Sequence, residues 1–204
     1  MENSNYNHTN IEEEIYNYWE KNNFFKPKKN TKKHFSIVIP PPNVTGSLHM
    51  GHALNNSLQD LMVRYYRMCG YETLWQPGTD HAGIATQAVV EKKLLNKGIN
   101  KNQLGRDAFI KEVWKWKKES GDQILNQLKK LGCSCDWSRN RFTMDSDLSK
   151  AVTKTFVQLY NEKIIYKDTK LVNWDTKLET AISDLEVEQR EMQSQLYYIK
   201  YKID

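Results

Sequence analysis

The chain has 204 residues and a formal net charge of +5, from 30 Lys and Arg against 25 Asp and Glu. Its hydrophobic fraction of 39% allows a real core, and its charged fraction of 27% is ordinary. The mild basic bias is compatible with a nucleic-acid partner without showing one, and no apolar stretch approaches the length of a membrane span.

The first residues, Met1 to Asn10, are polar and lead into Glu12-Glu13-Glu14. They lack the apolar core of a secretory signal and the basic, acid-poor character of an organelle signal. Cys69, Cys133 and Cys135 cannot all pair within one chain, and Cys-x-Cys is not a usual zinc or redox spacing. Free thiols in a reducing cytosol are expected. Thr9-Asn-Ile-Glu12 fits a capping box, and Ile11, Ile15, Tyr18 and Trp19 recur at helical spacing, so a helix to about Asn22 is expected, packed on the domain for stability. Phe24 to Lys33 is a basic loop with Lys26, Lys28, Lys29, Lys32 and Lys33. Solvated surface is the plain reading of such a run, and nucleic-acid contact is the other.

Phe35 to Ile39 is a short apolar run, mostly β-branched or aromatic, and reads as a buried strand. Pro40, Pro41 and Pro42 must end it. Gly46 permits a sharp turn, and an amphipathic helix is expected from about Leu48. Strand, rigid loop, Gly and helix make a nucleotide-binding α/β unit, with free N–H groups at the helix start facing an anion. His49 and His52 stand three apart at that start and share a face. Either imidazole can donate to a phosphate without a full charge. Gly51 between them leaves room for a nucleotide against the backbone. The plain alternative is two surface histidines on a helix.

His49-Met-Gly-His52 resembles the His-x-Gly-His signature of class I aminoacyl-tRNA synthetases, which related nucleotidyltransferases share. The longer string Pro40-Pro-Pro-Asn-Val-Thr-Gly-Ser-Leu-His-Met-Gly-His-Ala53 resembles the valyl-tRNA synthetases in particular.

Beyond His52, Leu54, Leu58, Leu61, Met62, Tyr65 and Met68 share one helical face, Asp60 and Arg64 form an i, i+4 pair, and Gly70 stops the helix. Glu72 to Gln76 reads as a second strand ended by Pro77-Gly78, giving a parallel βαβ unit. The following loop, Gly78-Thr-Asp-His-Ala-Gly83, then lies beside the first at the carboxyl edge of the sheet, where open parallel sheets bind ligands. Asp80 either faces a ligand there or caps the next helix, Ile84 to Asn96. Gly78 to Gln87 again resembles the valyl enzymes. A long helix is expected from Gly105 to Leu131 with Phe109, Val113, Trp116, Ile124, Leu128 and Leu131 as its stripe, and Trp114 and Trp116 read as packing residues. Arg139 and Arg141 either meet phosphate or, as the plainer reading, pair internally with Asp136 or Asp145, and Cys135-Asp-Trp-Ser-Arg139 resembles a stretch of the same family, with Cys133 where a small apolar residue is expected. A helix from about Asp147 to Glu162 follows, capped by Asp145 or Ser146. Short β pieces are then expected at 164–167, 170–174, 182–188 and 196–203.

The resemblance covers residues 10 to 204 and implies an α/β fold: the first half of a class I Rossmann-like parallel sheet with helices, then short strands leading into an editing domain absent here. The implied divisions are 1–33 for the N-terminal helix and basic loop, 34–170 for the half catalytic domain, and 171–204 for the start of the connective insertion. The implied activity is that of a valine–tRNA ligase, with ATP, magnesium carried by ATP, valine and tRNA(Val) as its ligands, in the cytoplasm. Gly46, His49, Gly51 and His52 would hold ATP, His49 and His52 as catalytic groups. Pro41, Asn43 and Asp80 would hold valine, Asp80 through its ammonium. The family's second loop, Lys-Met-Ser-Lys-Ser, has no counterpart here, since Met144-Asp-Ser146 lacks the flanking lysines. The piece alone would therefore be inactive, with an exposed edge on the strand at Phe35 and a need for the missing C-terminal half. No zinc site is expected. An isoleucyl relative, a small nucleotidyltransferase and a non-catalytic tRNA- or protein-binding module are the rival readings. A nicotinamide dehydrogenase is excluded because no G-x-G-x-x-G follows a strand.

Overall fold

The computed structural model describes residues 6–28 and 33–203, so Lys29 and Lys32 of the basic loop lie outside the described residues. The chain divides into two compact units, one ending at Thr155 and one starting at Phe156.

The first unit opens with helix α1, His8–Lys21. Its cap is Asn7, whose side chain accepts from the Thr9 amide, and not Thr9 as the capping-box pattern predicts. Asn7 competes better because its short amide side chain reaches back to the helix start from an extended backbone. The expected stripe is also displaced: Ile11, Ile15 and Tyr18 are exposed, and Tyr16 is the buried residue. Tyr16 is buried because its hydroxyl finds two partners. It donates to the Cys133 carbonyl at 2.6 Å and accepts from Trp137 Nε1 at 2.7 Å. Lys129 to Glu20 at 2.9 Å adds a second tie to α1. Burial pushes the Tyr16 phenol well above its ordinary range, so it stays a neutral donor. Tyr16→Phe strands two buried partners and is expected to cost about 1–3 kcal/mol in urea unfolding; an unchanged midpoint would show that the pair is replaced by water.

Strand β1, His34–Val38, and strand β2, Glu72–Gln76, pair in parallel register from His34 opposite Glu72 to Val38 opposite Gln76. The ladder runs one bond further, Ile39 N to Gln76 O at 3.0 Å, before Pro40 ends it. The strand expected to be buried is only half so. Phe35 and Ile37 are partly covered, Val38 is exposed, and full burial comes only at Ile39. Among the described residues β1 is paired on one side alone, and that accounts for the difference.

Helix α2, Met50–Met68, crosses from β1 to β2 and packs on both. Its apolar stripe faces outward: Leu54, Leu58, Leu61, Met62, Tyr65 and Met68 are all exposed. The inward face holds Val63 and a polar network instead. Asp60 pairs with Arg64 at 2.6 Å, as expected, and accepts from the Ser134 amide at 3.0 Å. Arg64 and Arg67 donate to the Gly132 carbonyl and the Ser134 hydroxyl, and Gln59 accepts from Trp75. This network binds α2 to the loop at 132–136, where Cys133 and Cys135 are buried thiols held protonated.

Pro77 ends β2, as expected, and a second small sheet starts directly after it. Gly78–Thr79 forms strand β3, which pairs in parallel with strand β4, Arg141–Phe142. A Cβ at Gly78 would stand 3.0 Å from the Arg141 carbonyl oxygen, so a larger residue would push the two strands apart. Helices α3, Gly83–Leu95, α4, Lys101–Leu104, and α5, Arg106–Lys130, follow. Helix α5 contacts α1, α3 and α4, and it buries Phe109, Ile124 and Leu128 while Leu131, expected in its stripe, is exposed. Trp75, Ile39, Val44, Val63, Ile124, Leu128 and Phe142 form the main core. Arg139 pairs with Asp136 at 3.1 Å, as expected. Arg141 pairs loosely with Asp147 at 3.7 Å instead of Asp136 or Asp145, because the Asp145 carboxylate is taken by the Phe142 amide. Helix α6, Ser146–Asn161, then runs across the boundary between the units.

The second unit holds a hairpin of strands β5, Asn173–Asp175, and β6, Thr180–Ile182. Asp175 Oδ1 receives the Lys177 and Leu178 amides and so builds the turn. The β pieces expected at 164–167 and 196–203 are not strands, and 182–188 is instead a 3-10 turn at Asp184–Glu186. Those segments carry β-prone residues but no neighbouring ladder among the described residues.

Candidate functional site

Two loops meet at the carboxyl edge of β1 and β2. The first, Pro40 to Leu48, and the second, Gly78 to Ala82, are joined by backbone: Asp80 N donates to Pro42 O at 2.8 Å and Val44 N to Asp80 O at 3.0 Å. Asn43 and Asp80 face each other across this parallel bridge. Pro42 is buried, and Pro41 and Asn43 on either side of it reach the surface. The expected valine residues Pro41, Asn43 and Asp80 are thus neighbours on one edge.

Asp80 does not cap α3. The α3 cap is Ala82, in a left-handed conformation at φ 50° with no side-chain bond. Asp80 Oδ1 accepts from the Thr143 hydroxyl at 2.9 Å. Thr143 in turn accepts from His81 N at 2.9 Å and lies 2.7 Å from His81 Nδ1. Having given its one proton to Asp80, Thr143 can only accept from His81 Nδ1, which fixes the proton of His81 on that atom. Asp80 Oδ1 is therefore anchored, and Oδ2 stays open among the described residues. Thr143 lies 63 residues from Asp80 and no motif in the sequence marks it.

The helix start differs from expectation by two residues, and the histidines are the reason. His49 is the N-cap of α2, with extended backbone at φ −121°. Its Nδ1 accepts from the Gly51 amide at 3.1 Å, and the His52 Nδ1 accepts from the His49 amide at 3.3 Å. The two rings lie 4.0 Å apart between centroids. A neutral imidazole that accepts at Nδ1 carries its proton on Nε2. The caps thus lock both rings as Nε2–H donors. Burial, then the neighbouring His49, lowers the His52 pKa and favours that neutral form. A Cβ at Gly51 would stand 3.0 Å from His49 Cε1, so Gly51 makes room for the His49 ring. Gly46 lies in the turn before, where an added Cβ would meet nothing within 4 Å.

The loop between the two clusters is held by α5. Trp116 Nε1 donates to the Val44 carbonyl at 2.8 Å, Gln123 Nε2 to the Ser47 hydroxyl at 2.9 Å, and Leu48 N to Gln127 Oε1 at 2.9 Å. Trp116 is thus a packing residue with a polar task. A cavity of about 640 Å³ lies elsewhere, lined in part by Glu20, Phe25, Lys129, Asp136 and Trp137, and contains none of these groups. Among the described residues no group of three or more His, Cys, Asp or Glu gathers that could hold a metal ion. No helix among them is long and apolar enough to cross a membrane.

Residues 14–202 match the family model described as tRNA synthetases class I (I, L, M and V). The chain is 72% identical over 204 residues to the valine–tRNA ligase of Pelagibacter ubique, covering 100% of this chain and 23% of that protein. It is 58% identical over 204 residues to the valine–tRNA ligase of Bradyrhizobium diazoefficiens, covering 98% of this chain and 21% of that protein. It therefore spans less than a quarter of the length of these relatives. Among solved structures, a ternary complex of Agrobacterium radiobacter K84 agnB2 LeuRS with tRNA and LeuAMS matches with a TM-score of 0.71 at 23% identity, covering 87% of this chain and 21% of that one. That match carries the fold, parallel strands with a helix crossing between them and loops gathered at one edge. With a family match across nearly its whole length and the His-x-Gly-His cap at the head of its crossover helix, the chain belongs to the class I tRNA synthetases (I, L, M and V).

Proposed function

We propose that this chain is the amino-terminal part of a valine–tRNA ligase and carries one side of its adenylation site. The observation that carries the reading is the reciprocal histidine cap, which occupies Nδ1 of both rings and leaves their Nε2–H groups as donors at a helix start. Such donors suit oxygens whose charge grows as a phosphate reacts, and the helix start favours the same anion. Likeness to the valine–tRNA ligases above supports the choice of amino acid.

In this reading the valine carboxylate attacks the α-phosphate of ATP. The new carboxyl–phosphorus bond forms as the bond to pyrophosphate breaks, leaving valyl-adenylate. The terminal ribose hydroxyl of tRNA(Val) then takes the acyl group and AMP leaves. The protein's part in the first step is positioning and charge stabilisation. His49 and His52 donate to phosphate oxygens, Gly46 leaves the loop open to the nucleotide, and Gly51 contributes by making room for the His49 ring. Asp80 Oδ2 receives the valine ammonium, and Pro41 and Asn43 form the wall around the side chain. Magnesium would enter with ATP, as its counter-ion. In this reading α1 and the basic stretch after it precede half of the catalytic domain, 34–170, and the stretch from 171 leads towards an editing insertion, in a cytosolic enzyme.

The test is Asp80→Asn in a form extended to the length of the relatives. The asparagine keeps the bond to Thr143 and loses the charge, so valine binding by calorimetry should weaken about 10- to 100-fold, since charge-assisted bonds contribute roughly 1.5–3 kcal/mol. Unchanged valine affinity with weaker ATP binding would move Asp80 to the nucleotide. Exchange of pyrophosphate into ATP, run across amino acids, separates valine from an isoleucyl reading.

A further inference from the structure

The loop from Val44 to Leu48 joins the amino-acid residues to the histidine cap, and only turns and bends lie along it. Its geometry is set from outside, by one polar stripe of α5. Trp116, Gln123 and Gln127 recur at i, i+7 and i+11, a spacing that puts them on one helical face. Along that face Ser120 and Gly121 are buried, and a Cβ at Gly121 would stand at ordinary contact distance, 4.0 Å, from Val44 Cγ1, so the loop lies directly against the helix there. The stripe meets the loop at three successive points, the Val44 carbonyl, the Ser47 hydroxyl and the Leu48 amide. The last is decisive. Leu48 is the residue before the His49 cap, and its N–H donates to Gln127 Oε1 at 2.9 Å across 79 residues of sequence. Without that acceptor the half-buried amide has no partner of its own among the described residues, and the residue that aims His49 is free to rotate.

We infer, on the reading of His49 and His52 as phosphate donors, that Gln127 is a positioning residue for them: its carbonyl fixes Leu48 and thereby the backbone angle at which His49 caps α2 and presents Nε2–H. Trp116 and Gln123 hold the same loop further back. Gln127 touches no substrate in this arrangement. It acts through the loop.

The first test uses the 204-residue chain, nitrogen-labelled, with Gln127→Met, which keeps the stem and removes the carbonyl, and Gln127→Glu, which keeps an acceptor. In Gln127→Met, exchange of the Leu48 amide is expected to rise about tenfold, the scale of one net hydrogen bond. The imidazole nitrogen shifts of His49 should move from a single Nε2–H tautomer towards an average of the two. Gln127→Glu should restore both. A lower melting temperature with Leu48 exchange and the His49 shifts unchanged would mean that Gln127 only packs, and would overturn the inference. Should Gln127→Met not fold, Gln127→Ala is read by the same two signals.

The second test uses the form extended to the length of the relatives and measures pyrophosphate exchange. Gln127→Met should lower kcat roughly 10- to 100-fold, the cost of a small misplacement, with the valine KM little changed. If His52→Ala slows exchange and Gln127→Met does not, the positioning role is wrong while the phosphate role stands. If neither slows it, both are wrong.

Discussion

Replacing His52 by Ala in a form extended to the length of the relatives is expected to slow adenylate formation by about 10² to 10³, the usual cost of losing one preorganised donor. The valine KM should change far less. Two losses fall together. The Nε2–H donor disappears, and so does the Nδ1 that accepts the His49 amide, leaving the α2 cap half made. His49 would keep its own bond to the Gly51 amide, so the helix itself should survive. The pH dependence follows from the same geometry. The His52 pKa is lowered in the folded chain by burial and by His49, so below its ordinary value of 6.5 the unfolded chain takes up a proton that the folded chain resists. The stabilisation is thus complete above about pH 6.5 and fades as the pH falls towards the lowered value, where Nδ1 protonates and stops accepting. Exchange at the His49 amide should quicken over that acid range in the parent chain and be fast at all pH values in His52→Ala. An unchanged kcat in His52→Ala would remove His52 from the phosphate site.

Local chemistry was legible in the sequence. Three prolines after an apolar run ended β1, and Pro77-Gly78 closed β2 where expected, because ring constraint needs no partner to act. The parallel pairing and the meeting of Asn43 with Asp80 followed from strand order. What escaped was decided across long separations or by a side chain doing an unexpected task. Imidazoles are rare caps, so the expected start at Leu48 missed the cap at His49. Trp116, Gln127 and Thr143 find their partners 72, 79 and 63 residues away, and no periodicity carries that information. Two glutamines at i, i+4 beside a tryptophan on a core helix were the available sign. The periodicity of the α2 stripe reports that a face is apolar and not what covers it. Tyr16 is buried in place of Ile11 and Ile15 for a related reason, since its hydroxyl makes two hydrogen bonds across the fold, which periodicity does not report.

The 204-residue chain by itself is expected to form no valyl-adenylate at a useful rate, and to associate with itself at high concentration. Two surfaces lead to this. Strand β1 presents one unpaired edge among the described residues. Beside it α2 exposes Leu54, Leu58, Leu61, Met62, Tyr65 and Met68, with Met50 at its start 82% exposed. An open strand edge next to a continuous apolar helix face is an invitation to pair, since both gain from leaving water. The relatives are more than four times longer, as the chain spans 23% of one and 21% of another. In the proposed reading the remaining length covers these surfaces and brings the second lysine-rich loop to the ATP phosphates. His49 and His52 alone would stabilise one side of the reacting phosphate and leave the other to water. The measurement is pyrophosphate exchange with valine on the purified chain, beside light scattering across a dilution series. Exchange near an ordinary enzyme turnover of about 1–10³ s⁻¹ would show that the described residues hold a complete site. A strict monomer at high concentration would show that the α2 face is tolerated in water. Neither result is expected from a helix that turns its apolar stripe outward and its aspartate and arginines in.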